Sequence, residues 1–516
     1  MIIHHGLIVL LSVIAMAALI AFASWYAHRS YRQFLRKMRG PASTALPCAG
    51  PDTRLDSLIG PLVQQHAGQS GLRLILDNGE AFAARALSAE QAGRSLDLMY
   101  YIWRTDLAGW LLIDALVAAA DRGVRIRLLL DDVNVQGFDR TFLALTQNPL
   151  IEVRLFNPTR ERGHVVRRMV ELALGLSRFN RRMHGKLWIA DGRLAILGGR
   201  NIGDTYFGAD EGNPNSVDAD VMLVGPKVAE ISAVFDSYWN LGLSLPIVAL
   251  WPAFKANKRA FRRRLARHVH SALSRQFMAQ TQDGRSPDRF LTGRLRWTDQ
   301  VQLLADPPDK AYGKHSAPWI DTAIATMLDA AKTEVRLITP YFVPGNAGLA
   351  GLTRLEARGV KVSLITNALA STDLITVHGA YRTYRGPLLA AGASIYEFSK
   401  PALPDHKRDV LHSKVFIIDR QRAVVGSLNF DLRSAYINTE LGLLFEEPQL
   451  VAELIAMFDT LTSPGQAYRV TCQGRALRWA VDRPGLPAVM PVEPEAGWSR
   501  RAVSWVVGHL PIKSYL

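Results

Sequence analysis

In this chain of 516 residues one pattern, H-x-K-x4-D, is written twice: His184, Lys186 and Asp191, then His412, Lys414 and Asp419. Each copy is followed by a small pair and an asparagine, Gly198-Gly199-Arg200-Asn201 in the first and Gly426-Ser427-Leu428-Asn429 in the second. A single H-x-K reads as a half-exposed strand; two copies with the same sequel require two segments that fold alike. The likeness extends upstream. Ser95 to Trp103 corresponds to Glu334 to Phe342, Arg122-Gly123-Val124 to Arg358-Gly359-Val360, and Ile151 to Phe156 to Ala393 to Phe398. A glycine between a helical stretch and a β-branched run marks a helix-to-strand junction, and alternating strands and helices argue for α/β layers. The expected fold is α/β: two duplicated sandwich domains related by a pseudo-twofold, behind an N-terminal transmembrane helix. The expected division is 1–40 anchor and basic flank, 41–250 first domain, 251–296 basic linker, 297–465 second domain and 466–516 a tail that could meet the membrane interface.

The segments between His and Asp, Leu187 to Ala190 and Val415 to Ile418, are apolar and strand-like. Residues two apart on a strand share a face, so each motif His is expected to point with its Lys. The aspartates lie on the other parity and open turn-like stretches, which makes Asp191 and Asp419 scaffold residues despite their place in the motif. A phosphodiester needs a nucleophile for phosphorus, a proton for the leaving alkoxide and positive charge for the phosphoryl oxygens. Imidazole can supply the first two. Lys186 and Lys414, with Asn201, Asn429 and Ser427, are the candidates to hold the oxygens, so no metal or other cofactor is expected. Glu440 and Asp220, each opening an apolar run, are the expected carboxylates that orient the histidines. The chain's 2 cysteines, Cys48 and Cys472, do not have metal-site spacing.

These motifs resemble those of the phospholipase D superfamily, whose two copies meet at one phosphodiester-cleaving site. Within it the chain looks like the bacterial cardiolipin synthases of the C type, on Tyr100-Tyr101-Ile102-Trp103, Leu128 to Asp132, Arg154 to Pro158, Gly198 to Asp204 and Ile338 to Phe342. The resemblance covers about Leu72 to about Phe458 and implies a phosphohistidine intermediate, with His184 as nucleophile and His412 as general acid. It also marks Asn367 to Arg385 as a pocket loop, with His378, Tyr384 and Arg385 as substrate-contact candidates.

Net charge of +15 and a pI near 9.9 suit an anionic partner. Gly6 to Ala27 carries no Lys, Arg, Asp or Glu and is followed by Arg29, Arg32, Arg36, Lys37 and Arg39. About 20 apolar residues suffice to cross a bilayer. A signal peptide is the alternative, with Ala21-Phe22-Ala23 as a cleavage site, but Met1 to His5 lack Lys and Arg. An uncleaved single-pass anchor in the bacterial inner membrane, with the catalytic part on the cytoplasmic side, is the favoured reading; a periplasmic site is its rival. Arg160 to Arg182 contains seven arginines among apolar residues, and Lys255 to Arg275 eight Lys and Arg. Such basic amphipathic stretches suit either solvent or an anionic membrane surface.

The expected function is a membrane-bound phosphatidyltransferase making cardiolipin, with phosphatidylglycerol and a phosphatidyl donor as substrates; whether a helper protein takes part is left open. A phospholipase D hydrolase would use the same residues. A nucleic-acid phosphodiesterase is a third reading against which the anchor argues, so no nucleic-acid partner is expected.

Overall fold

The computed structural model describes the chain apart from residues 1, 49, 51, 136, 210–213, 253–256, 283–284, 316–317, 402–407, 475 and 511–516. Lys255 and the last six residues, parts of two of the basic or apolar stretches above, therefore lie outside the described residues.

Apolar, β-branched runs form two mixed sheets with the same inner order. In the first, the motif strand Leu187–Ala190 lies between Leu194–Gly198 and Ser95–Tyr100, and beyond the latter come Arg125–Asp131 and Ile151–Phe156. In the second, Val415–Ile418 lies between Arg422–Gly426 and Glu334–Ile338, and then come Lys361–Asn367 and Ser394–Phe398. The three upstream strands of each half run parallel, as right-handed strand–helix–strand crossovers require, and the motif strand is antiparallel to the first of them. Parallel strands covered on both faces need continuous apolar sequence, and these strands are buried along most of their length. The two sheets share one core: Met99, Leu187 and Ile189 belong to the same buried cluster as Ile338, Val415, Ile417 and Leu441.

The halves also exchange backbone. Val410–Leu411, just before the second motif, pairs with Ser216–Val217 of the first half, and Met183 forms a bridge to Thr439. The amide of His184 donates to the Thr439 carbonyl at 2.9 Å and that of His412 to the Val217 carbonyl at 2.8 Å. Contact this close tolerates little side chain. A Cβ at Gly185 would come within 2.6 Å of Leu441 Cδ2, which accounts for the glycine between His184 and Lys186.

The aspartates that close each motif act on the backbone. Asp191 and Asp419 both have positive φ, 54° and 52°, a conformation that Asp tolerates better than most residues. The Asp191 carboxylate accepts from the amides of Gly93, Arg94 and Ser95 at 2.7–2.9 Å. Asp419 accepts from those of Lys332, Thr333 and Glu334 at 2.7–3.2 Å. Each thus pins the start of the strand on which its motif strand is laid.

Around this frame, residues 258–292 fold as helices Lys258–Val269, Ala272–Gln282 and Pro287–Thr292 against the first half. Ala467–Gln473, Ala476–Ala480 and Val489–Met490 extend the second sheet, and the helix Trp498–His509 packs on the helix Ile375–Ala391. At the other end stands the helix Ile2–Met38, the only one among the described residues long and apolar enough to cross a membrane, over Leu10–Met38. Its apolar residues from Leu10 to Tyr26 are exposed, whereas Tyr31 and Leu35 are buried in the first half. Tyr31 donates to the Pro158 carbonyl at 2.7 Å and Arg39 to that of Asn240 at 2.8 Å.

Removing an acceptor from buried amides costs about 1–3 kcal/mol, less where water can replace it. Asp191→Ala is therefore expected to lower the thermal midpoint more than Asp419→Ala, whose site is partly exposed. Folded Asp419→Ala should keep activity within severalfold of the parent, while Lys414→Ala loses about 10²–10³. A fully folded Asp419→Ala as inactive as Lys414→Ala would refute the scaffold role.

Candidate active site

Both motif histidines come to one place, because each motif begins where its half crosses to the other. His184 and His412 are each nearly buried, at 7% and 8% exposed, and Lys186 and Lys414 are more deeply buried still. His184 Nδ1 lies 2.9 Å from Glu440 Oε2, and His412 Nδ1 lies 2.6 Å from Asp218 Oδ2. The orienting carboxylate thus comes from the opposite half in both cases. An Nδ1–H donated to a carboxylate leaves Nε2 as the nitrogen with a free lone pair. Each lysine ammonium donates to the carbonyl of its own motif histidine; His and Lys stand in the extended segment just before the motif strand, which begins at Leu187 and at Val415, and not on the strand itself.

Glu440 takes the expected position, but Asp220 does not. Asp220 is buried against Arg85 Nη2 at 2.9 Å and Arg200 Nη1 at 3.5 Å. The registers give the reason. Asp220 stands opposite Gly198, and its counterpart opposite Gly426 is Gly442, two residues after Glu440. The residue equivalent to Glu440 is therefore Asp218. A shift of two keeps the strand parity, so the alternation of apolar residues could not separate the two aspartates. Gly199 makes room for the change: a Cβ there would come 2.1 Å from Asp218 Oδ1.

The downstream residues also differ from expectation. Ser427 Oγ donates to Glu440 Oε2 at 2.5 Å and accepts from the Leu441 amide at 3.0 Å. It steadies the carboxylate behind His184 instead of facing an open cleft. The Asn201 amide oxygen accepts from Ile102 N at 3.1 Å and its NH2 donates to Tyr206 Oη at 3.0 Å, fixing the loop after Tyr100. Asn429 is buried, and its Oδ1 has no partner among the described residues. Two tyrosines that the motifs do not announce stand edge-on to the histidines: Tyr101 to His184 at 4.9 Å and Tyr206 to His412 at 5.4 Å between ring centres.

His378 and Arg385 do not line a cleft. They are buried on the helix Ile375–Ala391, where Arg385 pairs with Glu397 at 2.8 Å and with Glu493 at 2.8 Å, and His378 Nε2 lies 3.3 Å from Glu493. The network ties the segment after the second sheet to that helix. Tyr384 packs edge-on to Phe342 in the second core. The polar, aromatic sequence of this stretch serves packing.

Electrostatics separates the two histidine–carboxylate pairs. Burial, with the charges of Lys186 and Lys414, holds His184 well below the usual imidazole range, and burial raises its partner Glu440 to about 7. Burial also opposes ionisation of Asp218, yet the neighbouring His412 and Lys414 prevail and hold it below the usual carboxylate range. His412 is lowered by burial and Lys414, against the pull of Asp218. The His412 pair therefore has the ionised carboxylate that supports an imidazolium, and the His184 pair favours a neutral imidazole. Burial brings Lys414 down to about 8. Such an arrangement can attack, protonate and stabilise charge at a phosphodiester.

Two outcomes follow from this geometry. Since kcat/KM reports ionisations of the free enzyme, it should fall as pH rises through about 8, where Lys414 loses its charge. Burial also holds Lys186 well below the ordinary lysine range, so Lys414→Arg should reshape the alkaline limb and only Lys186→Arg/Lys414→Arg should abolish it, even if the rate is lower; a parent profile flat to about pH 10, the ordinary lysine range, would contradict this. Asp218→Asn should lower the rate by about 10²–10⁴ with little change in stability, as loss of an orienting carboxylate does. Asp220→Asn, which breaks the buried Arg85 pair, should chiefly lower the thermal midpoint.

Comparison with known proteins agrees with the fold and its two halves. The family described as "Cardiolipin synthase, PLD-like domain" matches residues 88–239 and 324–462, one segment for each half. Cardiolipin synthase C of Escherichia coli (strain K12) is 37% identical over 482 residues, covering 89% of this chain and 99% of that protein. Cardiolipin synthase 1 of Bacillus anthracis is 25% identical, over 83% of this chain and 74% of its own length. Among solved structures, phosphatidylserine synthase of Haemophilus influenzae Rd KW20 superimposes with a TM-score of 0.58 at 12% identity, over 88% of this chain and 99% of that one. With the family matched in both halves and a relative aligned over nearly the whole chain, this protein belongs to the phospholipase D-like cardiolipin synthase family.

Proposed function

We propose that this protein is a membrane-anchored phosphatidyltransferase that makes cardiolipin, with phosphatidylglycerol as acceptor and a phospholipid as phosphatidyl donor. The observation that carries the reading is the crossed pair of histidine–carboxylate contacts in a chain 37% identical to a cardiolipin synthase. His184 Nε2 attacks the donor phosphorus, the phosphorus–oxygen bond to the headgroup alcohol breaks, and His412 gives its proton to the departing alkoxide. The hydroxyl of phosphatidylglycerol, losing its proton to His412, then attacks the phosphohistidine, and the phosphorus–nitrogen bond breaks to restore His184. Lys186 and Lys414 hold the phosphoryl oxygens as their negative charge grows.

The different ionisation of Glu440 and Asp218 supports this order of roles. Binding at a surface where lipid alcohols are concentrated favours transfer over hydrolysis through effective concentration. The charges after Tyr26 favour a cytoplasmic face of the inner membrane for the catalytic body.

The test uses full-length protein in mixed micelles with labelled phosphatidylglycerol. Cardiolipin should be the main product and phosphatidic acid a minor one, with neither formed by His184→Ala. A rapid quench should leave an acid-labile, base-stable adduct on His184. An adduct on His412 alone would reverse the roles, and phosphatidic acid as main product with phosphatidylglycerol abundant would replace the transferase by a hydrolase.

A further inference from the structure

Two adjoining cavities lie between the N-terminal helix and the catalytic body, apart from the histidine–carboxylate pairs. The first, about 590 Å³, runs between the helix Ile2–Met38 and the helix Val165–Leu174, walled by Trp25, Ala27, Val166, Val170 and Leu174. The second, about 650 Å³, continues toward the body and is lined by Arg32, Arg36, Arg39, Arg178, Arg181 and Lys314. Arg160, Arg167, Glu161 and Glu171 complete the wall of the first, and His28, Ser177 and Arg178 border both, so a cleft with an apolar side opens directly into a cationic one.

The six cations are poorly balanced by carboxylates of the described residues; Glu171 is the one that acts on Arg178. None of them forms an ion pair with a carboxylate of the described residues. Arg39 and Arg181 donate instead to the backbone carbonyls of Asn240, Lys310 and Tyr436. Arg178 stacks 3.4 Å over the Tyr31 ring, and its Nε is buried with no partner among the described residues. Glu161 and Glu171 border the first cavity, but Glu171 is taken up by the side chain and amide of Arg160 and the amide of Glu161. Like charges gathered this way repel unless an anion joins them, and burial lowers the affinity of Arg181 and Arg178 for their protons.

The order of the two cavities along the helix selects the anion. Trp25 and Tyr26 are exposed and of the kind that marks a membrane interface. Arg32 and Arg36, with Arg39 just past the helix end, lie about 10–20 Å further along at 1.5 Å per residue, on the side of the body. The apolar side of the cleft therefore faces the bilayer and the cations face its headgroups. We propose that this junction binds one anionic glycerophospholipid as an accessory ligand. Its phosphate is held by Arg32, Arg36, Arg178, Arg181 and Lys314, and an acyl chain lies along Trp25, Val166, Val170 and Leu174. Such a lipid cements the anchor to the first half. Through Arg181, which bonds the Tyr436 carbonyl, it also touches the short helix Leu432–Tyr436 that follows Asn429. The inference rests on Leu10–Met38 being a membrane anchor and is independent of the chemistry assigned to His184.

The test is native mass spectrometry of full-length His184→Ala protein released from detergent micelles, which binds lipid without turning it over. One phosphatidylglycerol should be retained in preference to phosphatidylcholine. Arg32→Gln/Arg36→Gln/Lys314→Gln should weaken it by roughly 100-fold, at about fivefold for each cation at a membrane surface. Val166→Ser/Val170→Ser, at exposed positions that do not disturb the core, should weaken it by about tenfold, since two apolar contacts are lost. Retention unchanged in both variants, or phosphatidylcholine held as tightly as phosphatidylglycerol, would overturn the proposal. Displacement of the lipid by inorganic phosphate alone would also overturn it, leaving a phosphate site with no role for the acyl chain.

Discussion

Everything in the site depends on the exchange of backbone between the halves. The amide of His184 is held by Thr439 and that of His412 by Val217. The residue after each of those acceptors is the carboxylate that meets the histidine, Glu440 and Asp218. One β-type contact therefore fixes the position of the ring and of its partner together. A carboxylate on the same half as its histidine would be set by the fold of that half; here it is set by the docking of two. The shared core, with Leu441 against the motif strands, is what keeps docking error small enough for hydrogen bonding at 2.6–2.9 Å.

A perfect twofold would make the two histidines chemically equal, and a reaction with a nucleophile and an acid needs them to differ. The difference lies in what surrounds equivalent carboxylates. Glu440 is held by Ser427 and stands deep in the core, where burial raises it to about 7. Asp218 receives the amide of Ala219 at 2.9 Å and the neighbouring positive groups, and stays ionised. Gly199 in one copy and Ser427 in the other mark the same departure at the sequence level: a missing side chain admits one carboxylate, and a hydroxyl braces the other.

Much of this was legible in the sequence because it follows from local rules. Two motif strands, which begin only after each H-x-K, three parallel strands upstream and aspartates acting as turn residues all depend on period two, on glycine junctions and on the αL tolerance of Asp. What escaped depends on partners far along the chain. The choice between Asp218 and Asp220 is decided by register with Gly198, which an alternating pattern cannot supply. His378 and Arg385 look like pocket residues until Glu493 arrives from more than a hundred positions later to bury them. Ser427 has the same chemistry whether it faces a phosphate or a carboxylate, and only the fold says which.

The helix Ile2–Met38 has a mechanical consequence. It runs unbroken from the exposed apolar residues to Tyr31 and Leu35, which are locked into the first half. The helix is continuous through that stretch, so any tilt of its apolar end becomes tilt of the catalytic body. A change of 10° at the membrane would sweep a point about 30 Å away through about 5 Å, comparable to one helical turn. For the anchor proposed above, bilayer thickness, one of the influences on helix tilt, is therefore geared to the attitude of the two histidines.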